Sequence, residues 1–139
     1  MLVYHDISFS GSDQMMVQVG HAGSGGTYLT SSYLAYRGSL GTSANSGSNG
    51  TIGFVSSLGS SSQSLFGVME IIPDKASSPT RLYQNHFSIR QDGGSMRLGA
   101  GYSPDISAVT IDRIKMLPSG TNTLDDTNGR VSLITEVIE

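Results

Sequence analysis

The chain contains no cysteine. That removes disulfides, thiolate zinc sites and thiol catalysis together, and leaves the redox compartment open. Charge is sparse as well. Asp, Glu, Lys and Arg make up 14% of the 139 residues, against roughly 25% in an average soluble domain. The basic residues are scattered and the net charge is −3. No basic patch exists to neutralise phosphates, so no nucleic-acid partner is expected. No apolar run reaches the roughly 18 residues of a spanning helix, so no membrane insertion is expected. Met1-Leu2-Val3-Tyr4-His5-Asp6 has neither a basic region nor a long apolar stretch, and is not expected to act as a signal peptide.

Ser, Thr, Asn and Gly fill the gap that charge leaves, with 18 glycines in all. Hydrophobic residues still make up 37%, which is enough for a packed core and argues against disorder. The length predicts one domain over residues 1–139. An uncharged polar surface of this kind suits an extracellular or particle-bound β protein. Few charges also leave few gatekeepers on strand edges, so a partner subunit is expected to cover them.

No segment keeps a helical period. Apolar residues alternate or cluster in short runs between turn formers, which is the strand signal. Nine strands are predicted, over residues 2–9, 14–19, 28–36, 51–56, 64–72, 81–90, 96–102, 108–117 and 130–138. In the first, Val3, His5, Ile7 and Phe9 are expected on one face; in the second, Met15, Val17 and Val19. The strand over 64–72 is apolar on both faces and is expected to be central. In the next, Tyr83, Phe87 and Ile89 are offered to the core. A change of phase between Ile111 and Ile114 predicts a β-bulge near Asp112-Arg113.

Asn49-Gly50, Asp92-Gly93-Gly94 and Asn128-Gly129 supply the positive φ of tight turns. Residues 38–50 and 56–64 have little apolar content and are expected to be exposed excursions. The fold class predicted is all-β: an antiparallel, jelly-roll-like sandwich of about eight or nine strands.

Signals for chemistry are weak. His5, His21 and His86 show no metal-ligand spacing, so no metal or other cofactor is expected. Asp125-Asp126-Thr127-Asn128-Gly129 has the look of a calcium loop without its late Glu, and reads as a hairpin turn. His21 to Thr27 is Gly-rich but lacks the Lys and following helix of a phosphate loop. No GxSxG elbow occurs. Glu70 is the one internal Glu on a strongly apolar strand; a glycosidase would need a second carboxylate across a cleft from it. No catalytic residue is assigned. Tyr28, Tyr33 and Tyr36 with Arg37 form the densest aromatic group. Tyrosine gives rigid amphipathic contact area, so Tyr33, Tyr36 and Arg37 are the candidate ligand-binding residues, while Tyr28 is expected in the core. Asn49-Gly50-Thr51 also matches a glycosylation sequon.

Several segments carry a resemblance. Tyr4-His5-Asp6-Ile7-Ser8-Phe9, Met16-Val17-Gln18-Val19-Gly20 with Gly25-Gly26-Thr27-Tyr28, Ser31 to Tyr36, Ala108 to Ile114 and Gly129 to Leu133 follow one another in a familiar order. The chain resembles the β-sandwich virion proteins of tailed bacteriophages, of the tail-fibre C-terminal or capsid-decoration type. It departs from them at Ile134 to Ile138, where an aromatic-Gly ending is usual. The resemblance implies a non-enzymatic structural or adhesive role in the virion. It also implies a symmetric homo-oligomer such as a trimer, contacts with other capsid or tail proteins, and no catalytic residues to transfer. A complete decoration protein and an excised fibre tip both fit. Recognition of a cell-surface glycan by a carbohydrate-binding module is the alternative expectation, and a small glycoside hydrolase is a third.

Overall fold

The computed structural model describes residues 1–20, 28, 33–39, 42–50, 53–59, 61–74, 80–90, 95–106, 111–125 and 129–136. For residues 33–39, 42–50, 54–59 and 101–106, and for positions 74, 80, 81, 90, 95, 97 and 99, only the backbone is described. Among these residues the regular elements are all strands, paired antiparallel. In chain order they are β1 (Leu2–Phe9), β2 (Asp13–Gly20), β3 (Tyr33–Ser39), β4 (Thr42–Gly50), β5 (Phe54–Gly59), β6 (Leu65–Asp74), β7 (Thr80–Arg90), β8 (Ser95–Ile106), β9 (Arg113–Pro118), β10 (Leu124–Asp125) and β11 (Arg130–Leu133). The larger sheet has the order β10-β1-β6-β7-β8-β3-β4, with β11 also paired to β1; the smaller has the order β5-β2-β9.

The first strand departs from simple alternation. Leu2 and Tyr4 are buried, and so are Ile7 and Phe9, whereas Val3 is half-buried and His5 exposed. The expected grouping of Val3 and His5 with Ile7 and Phe9 is therefore wrong. The cause is one extra residue. Asp6 sits at φ 57°, and the register with β6 shifts between Tyr4 and Ile7. Asp tolerates the left-handed region better than a β-branched residue does, and an added residue turns the following side chains to the other face. The same bulge divides the pairing on the far side of β1. Leu2 to His5 pair with β11, and Ser8 and Phe9 pair with β10.

The core is built from both sheets. Leu2, Tyr4, Ile7 and Phe9 of β1, Leu65 and Met69 of β6 and Leu82 of β7 form one buried cluster with Met15, Val17 and Val19 of β2. The three β2 residues are those expected from its alternation, but Met16 and Gln18 on the opposite side are buried too. Ile111, Ile114 and Met116 pack against the same cluster. Asp112 and Arg113 lie between them, joined by a 2.8 Å contact from Arg113 Nε to Asp112 Oδ1. β9 begins at Arg113, so the expected change of phase falls at the start of a strand.

The pairing of β6 with β7 inverts another expectation. Leu82, Gln84, His86 and Ser88 face inward and are buried, while Tyr83 and Ile89 are exposed and Phe87 is half-buried. Register explains it. His86 lies opposite Met69 and Ser88 opposite Gly67, and directly opposed residues share a face. Once Leu65 and Met69 are inward, Tyr83, Phe87 and Ile89 must be outward. β6 lies between β1 and β7, as expected of a central strand.

Other boundaries moved. Residues 42–50, expected as an excursion between strands, form β4 against β3, and Asn49-Gly50 ends that strand with Gly50 opposite Tyr33. Polar sequence hides such a strand because backbone pairing, unlike side-chain alternation, leaves no sequence trace. β3 begins at Tyr33, and Tyr28 makes an isolated bridge to Gly20. β5 runs to Gly59, β10 was not anticipated, and β11 ends at Leu133. Asp92-Gly93-Gly94 and the residues 107–110 lie outside the described residues.

Gly67 marks the tightest point. It lies opposite Tyr4, whose hydroxyl donates to the Phe87 carbonyl at 3.4 Å. A Cβ on Gly67 would collide with the Phe87 carbonyl oxygen and would stand 2.6 Å from the Tyr4 hydroxyl. Gly67→Ala should destabilise the fold by about 2–3 kcal/mol, as overpacking against backbone does. Tyr4→Phe, which removes one weak hydrogen bond, should cost about 1 kcal/mol or less. Urea denaturation of the two variants checks the order; equal midpoints for Gly67→Ala and wild type would show that the contact relaxes freely.

Candidate functional site

The outward face of the larger sheet is sorted by register into rows that run across the strands, about 7 Å apart along them. One row holds Phe66, Ile89 and Met96. The His5 ring meets Phe66 edge-on at 4.5 Å and 86°, and Arg130 lies opposite His5 on β11. The next row is apolar from β1 to β8, with Val3, Val68, Phe87 and Leu98, and ends at Ser132 on β11. A third holds Glu70, Asn85 and Ala100, and a fourth pairs Ile72 with Tyr83. Val68 and Leu98 remain 37% and 43% exposed, and Ile72, Tyr83 and Ile89 are similarly open to solvent. Scattered surface apolar residues are ordinary, but a contiguous apolar patch points to a contact site.

The inward face of β7 is the counterpart. Gln84 is 1% exposed, and its Nε2 shares a 2.6 Å hydrogen bond with Nδ1 of His86. Polar groups in such a place are costly unless they are hydrogen-bonded. Apart from Leu82, the inward side chains of β7 are polar, whereas its outward face displays Tyr83, Phe87 and Ile89 beside Asn85.

A second cluster joins distant turns. Ser119 Oγ donates to Asp13 Oδ1 at 2.9 Å, and the Asn122 amide donates to Asp13 Oδ2 at 3.3 Å. The Gln14 amide donates to Ser119 Oγ, and the Ser119 amide to the Gln14 carbonyl. The Ser10 amide donates to the Thr123 carbonyl, and the Thr123 amide to Ser10 Oγ. Burial pushes the Asp13 carboxyl upward, but the hydrogen bonds from Ser119, Asn122 and Gly120 outweigh it and hold it below the usual carboxylate range. The donors to Asp13 come from the segment after β9, so the cluster is a clasp between the start of β2 and that segment.

The residues singled out from the sequence scatter. Tyr33, Tyr36 and Arg37 lie on β3, with Tyr36 opposite Ala100 and Arg37 opposite Gly99, but their side chains lie outside the described residues. Tyr28 is half-buried, with Lys115 Nζ 5.7 Å from its ring centre, rather than in the core. His5 is on the outer face, His86 is buried, and His21 lies outside the described residues. Asp125 accepts a 3.2 Å hydrogen bond from Ser8 Oγ, while residues 126–128 lie outside the described residues. Glu70 is exposed opposite Asn85 and has no ion pair among the described residues. Among those residues, no three His, Asp or Glu side chains converge as metal ligands, and no helix is long and apolar enough to cross a membrane.

The outer face was not singled out from the sequence. Its signal was present in β6, which carries Phe66, Val68 and Ile72 on one side and Leu65, Met69 and Ile71 on the other. Comparison with known proteins finds no matching family, no matching curated protein and no matching solved structure.

The clasp predicts a pH dependence. The folded-state pKa of Asp13 is depressed, so its contribution to stability is present above the unfolded carboxylate value of about 4 and is lost as pH falls through the folded value. Asp13→Asn should lower the melting temperature at neutral pH and flatten its decline below about pH 4. Melting curves from pH 7 to pH 2 measure this; parallel acid limbs in both proteins would remove Asp13 from the acid response.

Proposed function

We propose that the chain is a non-enzymatic structural protein of a tailed-bacteriophage virion, either a capsid decoration protein or part of a tail fibre or baseplate. In this reading residues 1–139 form one domain, and its two sheets pack as a jelly-roll-like sandwich. The shared core supports that architecture, because β1, β6 and β7 of the larger sheet meet β2 of the smaller in one buried cluster.

The observation that carries the functional reading is the outer face of β6, β7 and β8. It displays Val68, Ile72, Tyr83, Ile89 and Leu98 to solvent, and Glu70 is the one carboxylate in its four rows. A surface of this composition is suited to lasting contact with protein. Its exposed side chains are mostly aliphatic, whereas a sugar platform calls for aromatic faces and clustered hydrogen-bond donors. The chain would then act by presenting surfaces to other capsid or tail proteins and to copies of itself, with no cofactor. The edge strand β4 adds to this, since Thr42 to Gly50 contains no charged residue to discourage pairing.

The test is the composition of phage particles made in cells that express the chain. Gradient-purified particles should contain it at a fixed ratio to the major capsid protein by quantitative mass spectrometry, and should keep it through a high-salt wash. Recovery of the chain only from the soluble lysate would overturn the proposal. Selective retention on a glycan array together with absence from particles would favour the carbohydrate-binding module.

A further inference from the structure

We propose that the outer face of the larger sheet is a homodimer interface, occupied by the same face of a second copy related by a twofold axis along the Val68–Phe87–Leu98 row. This rests on reading the chain as an assembly component, and it adds the surface and the symmetry.

Three observations carry it. The first is chemical. From β1 to β8 the axial row is apolar and Ser132 of β11 continues it uncharged; Val68 and Leu98 are exposed in the single chain, and Val3 and Phe87 are half-buried. A partner with charges there would leave them unpaired at considerable cost, whereas a second copy brings an equally uncharged row.

The second is the placement of charge on either side of that row. Glu70 lies one row to one side, opposite Asn85. His5, seated against Phe66, lies one row to the other side, with Arg130 as its cross-strand neighbour. A twofold axis along the Val68 row exchanges those sides. It sets Glu70 of each copy over the partner's Phe66 and beside the partner's His5. Arg130 is two strands away, about 10 Å, which is within side-chain reach. The face is therefore electrostatically complementary to itself, as an isologous contact demands.

The third is size. Five strands at about 4.8 Å and four rows at about 7 Å make a projected face of roughly 670 Å². Side chains standing up from the pleat expose more than their projection, which brings the face towards the roughly 800 Å² per partner of a standard interface.

The absence of cysteine makes the test clean. In sedimentation velocity over a concentration series, the wild-type protein should show a monomer–dimer equilibrium or a larger assembly built on it. Val68→Lys should raise the dissociation constant by at least about tenfold, the scale of a central interface residue. Because Val68 is already exposed, the fold should survive, and far-UV circular dichroism verifies that. Glu70→Arg should weaken association, and adding Arg130→Glu should restore part of it. Val68→Cys should cross-link to a covalent dimer with a bismaleimide of about 10 Å reach, the spacing of stacked sheets, whereas Ser61→Cys, an exposed position off this face, should not.

A wild-type monomer at every concentration would overturn the interface. So would an oligomer indifferent to Val68→Lys and Glu70→Arg, which would place the contact elsewhere, such as the β4 edge. Either result leaves the virion proposal standing if the chain is found in particles. Dimerisation through this face with no chain in particles would sustain the interface and sink the virion proposal.

Discussion

One extra residue in the first strand governs much of this fold. With Asp6 at positive φ, β1 buries Leu2 and Tyr4 before the bulge and Ile7 and Phe9 after it. Without it, strict alternation would turn one of those pairs to solvent. The buried Tyr4 ring then needs the space that only Gly67 leaves, and the fixed place of Gly67 opposite Ser88 sets the register of β7. From there the facing of β6 and β7 is determined, outward Phe87 and inward His86 included. A local backbone choice thus propagates through cross-strand pairing into the character of both faces.

Much of this could be read from residues in order. The all-β class, the antiparallel pairing, the central place of β6 and the burial of Met15, Val17 and Val19 all follow from alternation and punctuation. What alternation cannot convey is which of two acceptable faces is inside. Tyr83, Phe87 and Ile89 look like core residues beside Gln84, His86 and Ser88, and by transfer free energy alone they should be. The inversion is imposed by partners distant in sequence. The Asp6 bulge was missed because Asp within a run of otherwise regular strand residues reads as a solvent-facing position. β4 was missed because a strand of Ser, Asn and Gly differs from a loop only in where its backbone hydrogen bonds go.

The candidate surface was hidden for the same reason. The sequence drew attention to Tyr33, Tyr36 and Arg37, residue types with a familiar use. The apolar rows of β6, β7 and β8 emerge only once register is known, because each row takes one residue from each strand. Low charge, visible from composition, acquires a location in the structure. The scarcity is most complete along Val3, Val68, Phe87 and Leu98, with Glu70 on one flank and His5 and Arg130 on the other.

The way the two ends of the chain meet has a consequence for how the molecule is made. Leu2 to His5 pair with β11, the Met1 ammonium donates to the Ile134 carbonyl, and Ser10 is bonded to Thr123. A ribosome delivers these partners more than a hundred residues apart, at about 5–20 residues per second. For many seconds β1 therefore has one open edge and β2 lacks its β9 neighbour. Nascent copies are most open to mispairing during that interval, when the long-range closure that slows β proteins has not yet taken place. Crowded polysomes would feel this first, and chaperone demand during synthesis should exceed that of the finished protein.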